Sequence, residues 1–221
     1  MANASELAVV KRLKPVGFAT GFGCLLIASS AMADIFQWQW VDPNDQSLGK
    51  SQSTALCPGG AGIVAGPGSA ISNRDLTNAY LYSLDLSSSG WASDTLTEAY
   101  AAKANLAQSL LLQCSAASAD FSQTDAHAAN FRFTDVSHAN FTDANLQQAH
   151  LDFSTLDGAN FTRANLTGGS MEFSSFSGAN FTDAVVAGVS FVAAVQGGFT
   201  QQQLRQTASY KNHDLHGIHF W

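Results

Sequence analysis

The chain has 221 residues, of which only 12% are charged, and its formal net charge is −7. Soluble domains average about 25% charged residues, and a chain of this length forms about one to two domains. Because no basic stripe is present to release counterions from phosphates, the composition disfavours general affinity for nucleic acid.

Residues 1–33 have the pattern of an export signal. Basic residues at positions 11–14 precede a mostly apolar run at 16–30, and Ala31-Met32-Ala33 supplies a small-residue cleavage site. The alternative is an uncleaved membrane anchor, but about 15 apolar residues fall short of the ~20 needed to span a bilayer. We therefore expect a signal peptide cleaved after Ala33 and an exported chain, periplasmic or extracellular, with no stable membrane insertion after cleavage.

Residues 34–70 contain two tryptophans and a run rich in Gly and Pro, with no repeat. We expect an irregular cap here, because the terminal core and strand edges of a repeat structure would otherwise be open. Cys57 lies in this segment, and export would allow it to form a disulfide with Cys114. The other possibility is that Cys114 is a small buried thiol, since it holds an inward position of the repeat that follows.

A five-residue period runs without a gap from Leu76 to Phe191. Of its 24 central positions, 21 hold Leu, Phe, Val, Met or Trp, and two residues earlier 20 positions hold Ala, Ser, Gly, Thr or Cys. The position between them is Asn or Asp in 12 cases. Five matches neither the 3.6-residue period of a helix nor the two-residue period of a strand. The repeat is therefore the architecture itself.

Each pentad supplies one side and one corner of a coil. Residues two apart in extended backbone face the same way, so the centre and the small residue before it point inward while the other residues turn the chain. Phenylalanines recur at every fourth centre, at positions 121, 141, 161 and 181, which indicates four sides in each turn. About six coils stacked at ~4.8 Å predict a rod of about 29 Å.

The segments ANFTD at 139–143, ANLQQ at 144–148 and ANFTR at 159–163 resemble the pentapeptide-repeat family, whose usual repeat is A(D/N)LXX. The resemblance covers residues 71–195 and points to the exported bacterial type. It implies an all-β fold, a right-handed quadrilateral β-helix (solenoid) of about six coils, here with an irregular N-terminal cap and a short C-terminal helix.

Residues 196–221 differ from the repeat. Thr200 followed by QQQLR predicts an N-cap and a short helix that ends near Tyr210. The final KNHDLHGIHFW then looks like a resumed repeat with Leu215 and Phe220 as centres. Because the pattern stops in the middle, it looks truncated beside exported members in which a helix separates two ladders.

The sequence contains no recognisable catalytic or metal-binding motif. His213, His216 and His219 would make a metal face on a helix, but on a resumed pentad strand they scatter, and no carboxylate or Cys completes the set. The sequence shows no pattern that would pair a nucleophile with a general base, and it has no Gly-rich phosphate-binding loop before a helix. We expect no enzymatic activity, no metal and no cofactor.

Three phenylalanines depart from the pattern. Phe133, Phe153 and Phe173 lie two residues after a centre, where side chains face outward, and they recur at every fourth pentad. An exposed apolar patch indicates a partner or an intramolecular cover. The cover would be the C-terminal helix, with Leu204 and Tyr210, or the N-terminal arm.

Two functions are consistent with these observations. The first is a non-enzymatic exported scaffold with a structural or protein-interaction role and an unknown protein partner, without direct nucleic-acid binding and of unknown oligomeric state. The second is an acidic rod that mimics DNA and binds a type II topoisomerase such as DNA gyrase, as some family members do. Residues 71–195 hold 12 Asp or Glu and four Lys or Arg, a net charge of −8. The export signal argues against the second function, since that target is cytoplasmic.

Overall fold

The computed structural model describes residues 22–26 and 34–221. An antiparallel sheet comes first, in the order β1 (Phe22–Leu26), β2 (Ile35–Trp40) and β3 (Lys50–Leu56), and a 3₁₀ turn at Gln46–Leu48 lies between β2 and β3. Within the cap expected to be irregular, residues 35–56 thus form a hairpin, while residues 57–69 contain only turns and irregular backbone. Aromatic and β-branched residues favour strands, and β2 has its own partner in β3.

The hairpin is attached to the first part of the repeat through its backbone. Gln37 forms an antiparallel bridge with Ala79, and the Trp38 N–H donates to the carbonyl oxygen of Asn78.

The remainder of the expected export signal lies outside the described residues, so its cleavage after Ala33 stays a prediction. Cleavage there would remove β1 and leave one edge of β2 unpaired.

The repeat forms a β-helix in which one residue of each side is joined by a parallel bridge to its counterpart four pentads later, from Asp75 to Ser190. Three bridged segments are long enough to form strands, β4 (Ala70–Ser72), β5 (Gly90–Ala92) and β6 (Leu110–Leu112), in that spatial order. Every fifth residue from 73 to 193 has a positive φ, which marks one corner in each pentad. Each turn of the β-helix therefore has four corners.

The interior contains large rings beside small residues. Phe121, Phe141, Phe161 and Phe181 are almost fully buried, and neighbouring rings stack with centroids 5.0–5.2 Å apart. Alanines two positions before these centres are also buried. A larger side chain there would overfill the tube, because protein interiors are already close-packed.

The C-terminal segment covers the last part of the β-helix. Helix α1 (Gln201–Gln206) is capped by Thr200, which forms a capping box with Gln203, and α2 (Ala208–Lys211) follows. The helix predicted to run to Tyr210 is divided at Thr207, whose extended backbone ends α1 while its hydroxyl caps α2. The Gln203 side-chain amide donates to two carbonyl oxygens of the β-helix, at 2.9 Å each.

The two centres expected in the resumed repeat differ. Phe220 packs against the core and stacks on Phe191, with ring centroids 5.7 Å apart. Leu215 instead remains 37% exposed, so it does not fill the tube. The chain rejoins the ladder just after Leu215: the Gly188 N–H donates to the carbonyl oxygen of His216 at 2.8 Å, and Ser190 forms a parallel bridge with His219.

Candidate interaction surface

Phe133, Phe153 and Phe173 occupy one corner of three successive coils, and we call them the Phe stripe. Each has a φ of 55–59°, a left-handed conformation that is uncommon for non-glycine residues. The conformation costs roughly 1–2 kcal/mol per residue. A Phe at this corner adds nothing to the filling of the tube, so the core does not explain the stripe.

The rings of the Phe stripe are stacked and half exposed. Their centroids are 5.2 and 5.1 Å apart, with interplanar angles of 11° and 4°. Exposed fractions are 55% for Phe133, 50% for Phe153 and 54% for Phe173. The rings therefore point outward, and neither the C-terminal helices nor the N-terminal hairpin covers them.

A column of buried hydroxyl groups lies directly behind the stripe. The Ser154 hydroxyl donates to the carbonyl oxygen of Phe131 at 2.8 Å, and the Ser174 hydroxyl donates to that of Leu151 at 2.6 Å. The Ser154 N–H in turn donates to the Ser174 hydroxyl at 3.0 Å. The hydroxyls thus hold the stripe's backbone rigid from coil to coil.

This column was not recognised from the sequence, where Ser and Thr counted only as small residues. A signal was nevertheless present. At this corner the inward position holds Thr134, Ser154 and Ser174, whereas at most other corners of the same coils it holds Ala. A polar residue recurring at every fourth pentad inside an apolar tube indicates a hydrogen bond between coils.

Charged residues directly precede the Phe stripe, and the repeat pattern did not predict their contacts. Asp152 is buried, and its carboxylate accepts from Arg132 Nε at 2.6 Å and from the Glu172 N–H at 3.1 Å. Glu172 Oε1 accepts from the Ser190 hydroxyl at 2.6 Å. A fixed cation therefore lies one coil before Phe153, and a fixed anion lies one coil after it.

A second aromatic cluster lies where the hairpin meets the β-helix. The Lys50 ammonium is 3.9 Å from the Trp38 ring centroid and 4.8 Å from that of Tyr100. Burial lowers the pKa of Lys50, and burial together with the nearby Asp120 carboxylate raises the pKa of Tyr100 to about 12. The Lys50 ammonium, which belongs to the hairpin, is thus bound by cation–π contacts that include Tyr100 of the β-helix. We therefore interpret the cluster as an attachment of the hairpin to the β-helix.

Residues 34–221 include all six histidines and two of the three cysteines. Within residues 34–221, no group of three or more His, Cys, Asp or Glu side chains is placed to hold a metal ion. Cys114 is a free buried thiol, and its burial raises the pKa to about 11. Cys57 is disulfide-bonded, but not to Cys114. None of the helices that the structure describes has the length and apolar character to cross a membrane.

Comparison with known proteins identifies the repeat. The family model for pentapeptide repeats matches eight copies, over the overlapping ranges 104–143, 127–163 and 144–183. No curated protein sequence matches the chain.

Solved structures include similar folds. A trypsin-treated variant of QnrB1, a plasmid-mediated fluoroquinolone resistance protein, is 19% identical with a TM-score of 0.50, covering 72% of this chain and 86% of that one. A second such variant is 20% identical with a TM-score of 0.49 and the same coverage. A pentapeptide repeat protein from the Arabidopsis thaliana thylakoid lumen is 20% identical with a TM-score of 0.19, covering 62% of this chain and 72% of that one. At such low identity, the likeness to the first QnrB1 variant supports the right-handed β-helix fold and nothing about function.

Proposed function

We propose that the protein is an exported, non-enzymatic pentapeptide-repeat scaffold that binds a protein partner through the Phe stripe. The match of the pentapeptide-repeat model to residues 104–183 supports the family. The scaffold is a four-sided rod of about six coils, roughly 29 Å long at ~4.8 Å per coil. Its outer faces repeat regularly from coil to coil and carry the exposed Phe stripe, so binding is the function that its geometry supports.

The observation that carries this proposal is the exposure of the three stacked rings. Burying aromatic surface is a main source of binding energy at interfaces, and rings held rigidly before binding lose little entropy when a partner docks. The hydroxyl column behind the stripe supplies that rigidity, through bonds such as Ser154 N–H to Ser174 Oγ. A protein surface with apolar side chains is the partner that such a stripe fits.

Export is supported by the pattern of residues 1–33. N-terminal sequencing of the protein recovered from the periplasm or the medium is expected to begin at Asp34. Recovery from the cytosol with residues 1–33 intact would contradict export.

A photo-crosslinking amino acid at position 153 tests the binding surface in the native host. We expect a crosslinked protein, identified by mass spectrometry, that is absent when the same group is placed at position 148. Position 148 is a matched control, because Gln148 occupies the same turn position with a φ of 57° at a different corner. Equal products from both positions, or none from position 153, would contradict the proposal.

A second candidate function is an acidic rod that mimics DNA and binds a type II topoisomerase such as DNA gyrase. The observation in its favour is the net charge of −8 over residues 71–195. Asp85 and Asp125 are exposed in one column, where they accept from the side-chain amides of Asn105 and Asn145 at 3.0 and 2.9 Å. A gyrase supercoiling assay with residues 34–221 tests this second function. Inhibition of supercoiling would favour it, and a lack of inhibition would leave the scaffold as the one remaining candidate function.

A further inference from the structure

We propose that the protein partner of the Phe stripe is a second copy of this chain, docked stripe to stripe with the two rods antiparallel. The two-fold axis lies at the level of Phe153 and runs perpendicular to the coil axis, along the surface. This inference rests on the proposed function, because it names the occupant of the same surface.

The spacing of the stripe makes it self-complementary in this orientation. Equivalent residues of successive coils lie above one another, as the parallel bridges from Asn130 to His150 and from His150 to Ser170 show. The two ring-to-ring steps are nearly equal, at 5.2 and 5.1 Å. A half turn at Phe153 therefore superposes the stripe on its reversed copy. Phe153 then faces Phe153 of the second copy, and Phe133 faces Phe173.

The charges beside the stripe select the antiparallel orientation. Arg132 and Glu172 lie in one column, one coil on either side of Asp152. The half turn therefore brings Arg132 of each copy opposite Glu172 of the other copy, which makes two such pairs in the dimer. Arg132 contacts Asp152 through Nε, and within the described residues its Nη groups donate no hydrogen bond. Parallel rods would place the two charged columns on opposite sides of the stripe. Complementary charges across an interface fix orientation in this way.

The size of the stripe sets the strength of the dimer. Three half-exposed rings supply about 300 Å² of apolar surface per copy, against about 800 Å² per partner in a standard stable interface. The dimer is therefore weak, and it forms at micromolar to millimolar chain concentrations.

Sedimentation velocity of the purified chain over a concentration series tests self-association. We expect association to increase with concentration in the native chain, and Phe153→Ser to stay monomeric throughout. Serines 83, 88 and 118 occupy the same turn position with positive φ, so Ser at 153 preserves the backbone. The control Gln148→Ser is expected to associate like the native chain. Glu172→Lys is expected to weaken association about 5- to 30-fold at low salt.

Cysteine crosslinking tests the orientation. Phe133→Cys mixed with Phe173→Cys is expected to form a disulfide-linked dimer under mild oxidation, while each variant alone stays monomeric. In the antiparallel dimer two copies of position 133 lie about 10 Å apart along the axis, two ~4.8 Å steps, beyond the reach of a disulfide. Self-crosslinking of Phe133→Cys would overturn the antiparallel arrangement.

A native chain that remains monomeric at all concentrations would overturn the dimer itself. The scaffold proposal is tested separately, by crosslinking from position 153 in the host. A monomeric pure chain that still crosslinks to a different protein from position 153 refutes the dimer and leaves the scaffold standing.

Discussion

The hydroxyl of Ser154 donates a 2.8 Å hydrogen bond to the carbonyl oxygen of Phe131, 23 residues earlier in the chain. The oxygen of the same hydroxyl accepts from the Thr134 N–H at 3.2 Å. At other corners the turn closes on itself, as when the Ala144 N–H donates to the carbonyl of Phe141 at 3.0 Å. One side chain therefore replaces a backbone turn bond and links two coils.

We expect Ser154→Ala to lower the free energy of unfolding by about 1–3 kcal/mol, because it leaves a buried N–H and a buried carbonyl without their partner. Urea unfolding followed by circular dichroism measures the change. The control is Ser118→Ala, at an exposed corner, which should stay within about 0.5 kcal/mol of the native chain. Equal midpoints for both variants would show that the hydroxyl carries no such role.

Asp94 takes the place of the hydroxyl two coils before Thr134, and its carboxyl group is buried. It is 1% exposed and accepts from the Arg74 N–H at 2.8 Å, and burial raises its pKa although the Arg74 charge acts in the opposite direction. Cys114, the next residue of the column, donates its thiol to the carbonyl 23 residues earlier. Within the described residues, the second carboxyl oxygen of Asp94 has no hydrogen-bond partner.

The stability of the chain should therefore fall with rising pH through Asp94. A raised folded-state pKa means that the folded state binds the proton more tightly than the unfolded state does. The stabilisation is complete below the unfolded pKa of about 3.9 and is lost as the pH rises through the folded value. Asp94→Asn keeps an acceptor and a donor without charge, so we expect a higher melting temperature at pH 7 and a flatter profile. A lower melting temperature for Asn at every pH would instead indicate an ionised Asp94 paired with Arg74.

The inner and outer Phe ladders should respond differently to truncation. Phe161 is fully buried and Phe153 is half exposed, yet each stacks on its neighbours at 5.0–5.2 Å. Phe161→Ala leaves a cavity and is expected to cost about 3–5 kcal/mol, whereas Phe153→Ala should cost about 1 kcal/mol. Thermal unfolding compares the two. A loss at Phe153 as large as that at Phe161 would mean that the stripe serves the fold and not a partner.

Two glycines give a test of the last coil. A Cβ at Gly197 would collide with the carbonyl oxygen of Ser174, whereas at Gly178 nothing lies within 4 Å. We expect Gly197→Ala to cost about 3 kcal/mol, because the backbone must move. Gly178→Ala should cost only about 1 kcal/mol, for its φ of 70°. Melting temperatures measure both, and similar values would contradict the packing of the loop against Ser174.

The sequence predicted the β-helix because the choice of which residues point inward is made within each pentad and is repeated along the chain. Each pentad repeats the same choice, a large centre such as Phe141 with a small residue such as Ala139 beside it, so the interior could be inferred from spacing alone. The outward direction of Phe133, Phe153 and Phe173 followed from the same count. The export of the chain and the partner of the stripe remain predictions.

Tertiary structure alone decided what the repeat does not encode. The hairpin of β2 and β3, the break at Thr207 and the contact between Arg132 and Asp152 depend on segments outside the pattern or on side chains of neighbouring coils. The hydroxyl bond from Ser154 to Phe131 spans 23 residues and exists only once two coils are stacked. Periodicity determines which side chains point inward, because that choice is made within a single pentad. Which of them bond to one another is decided only when the coils close, because those partners meet through space.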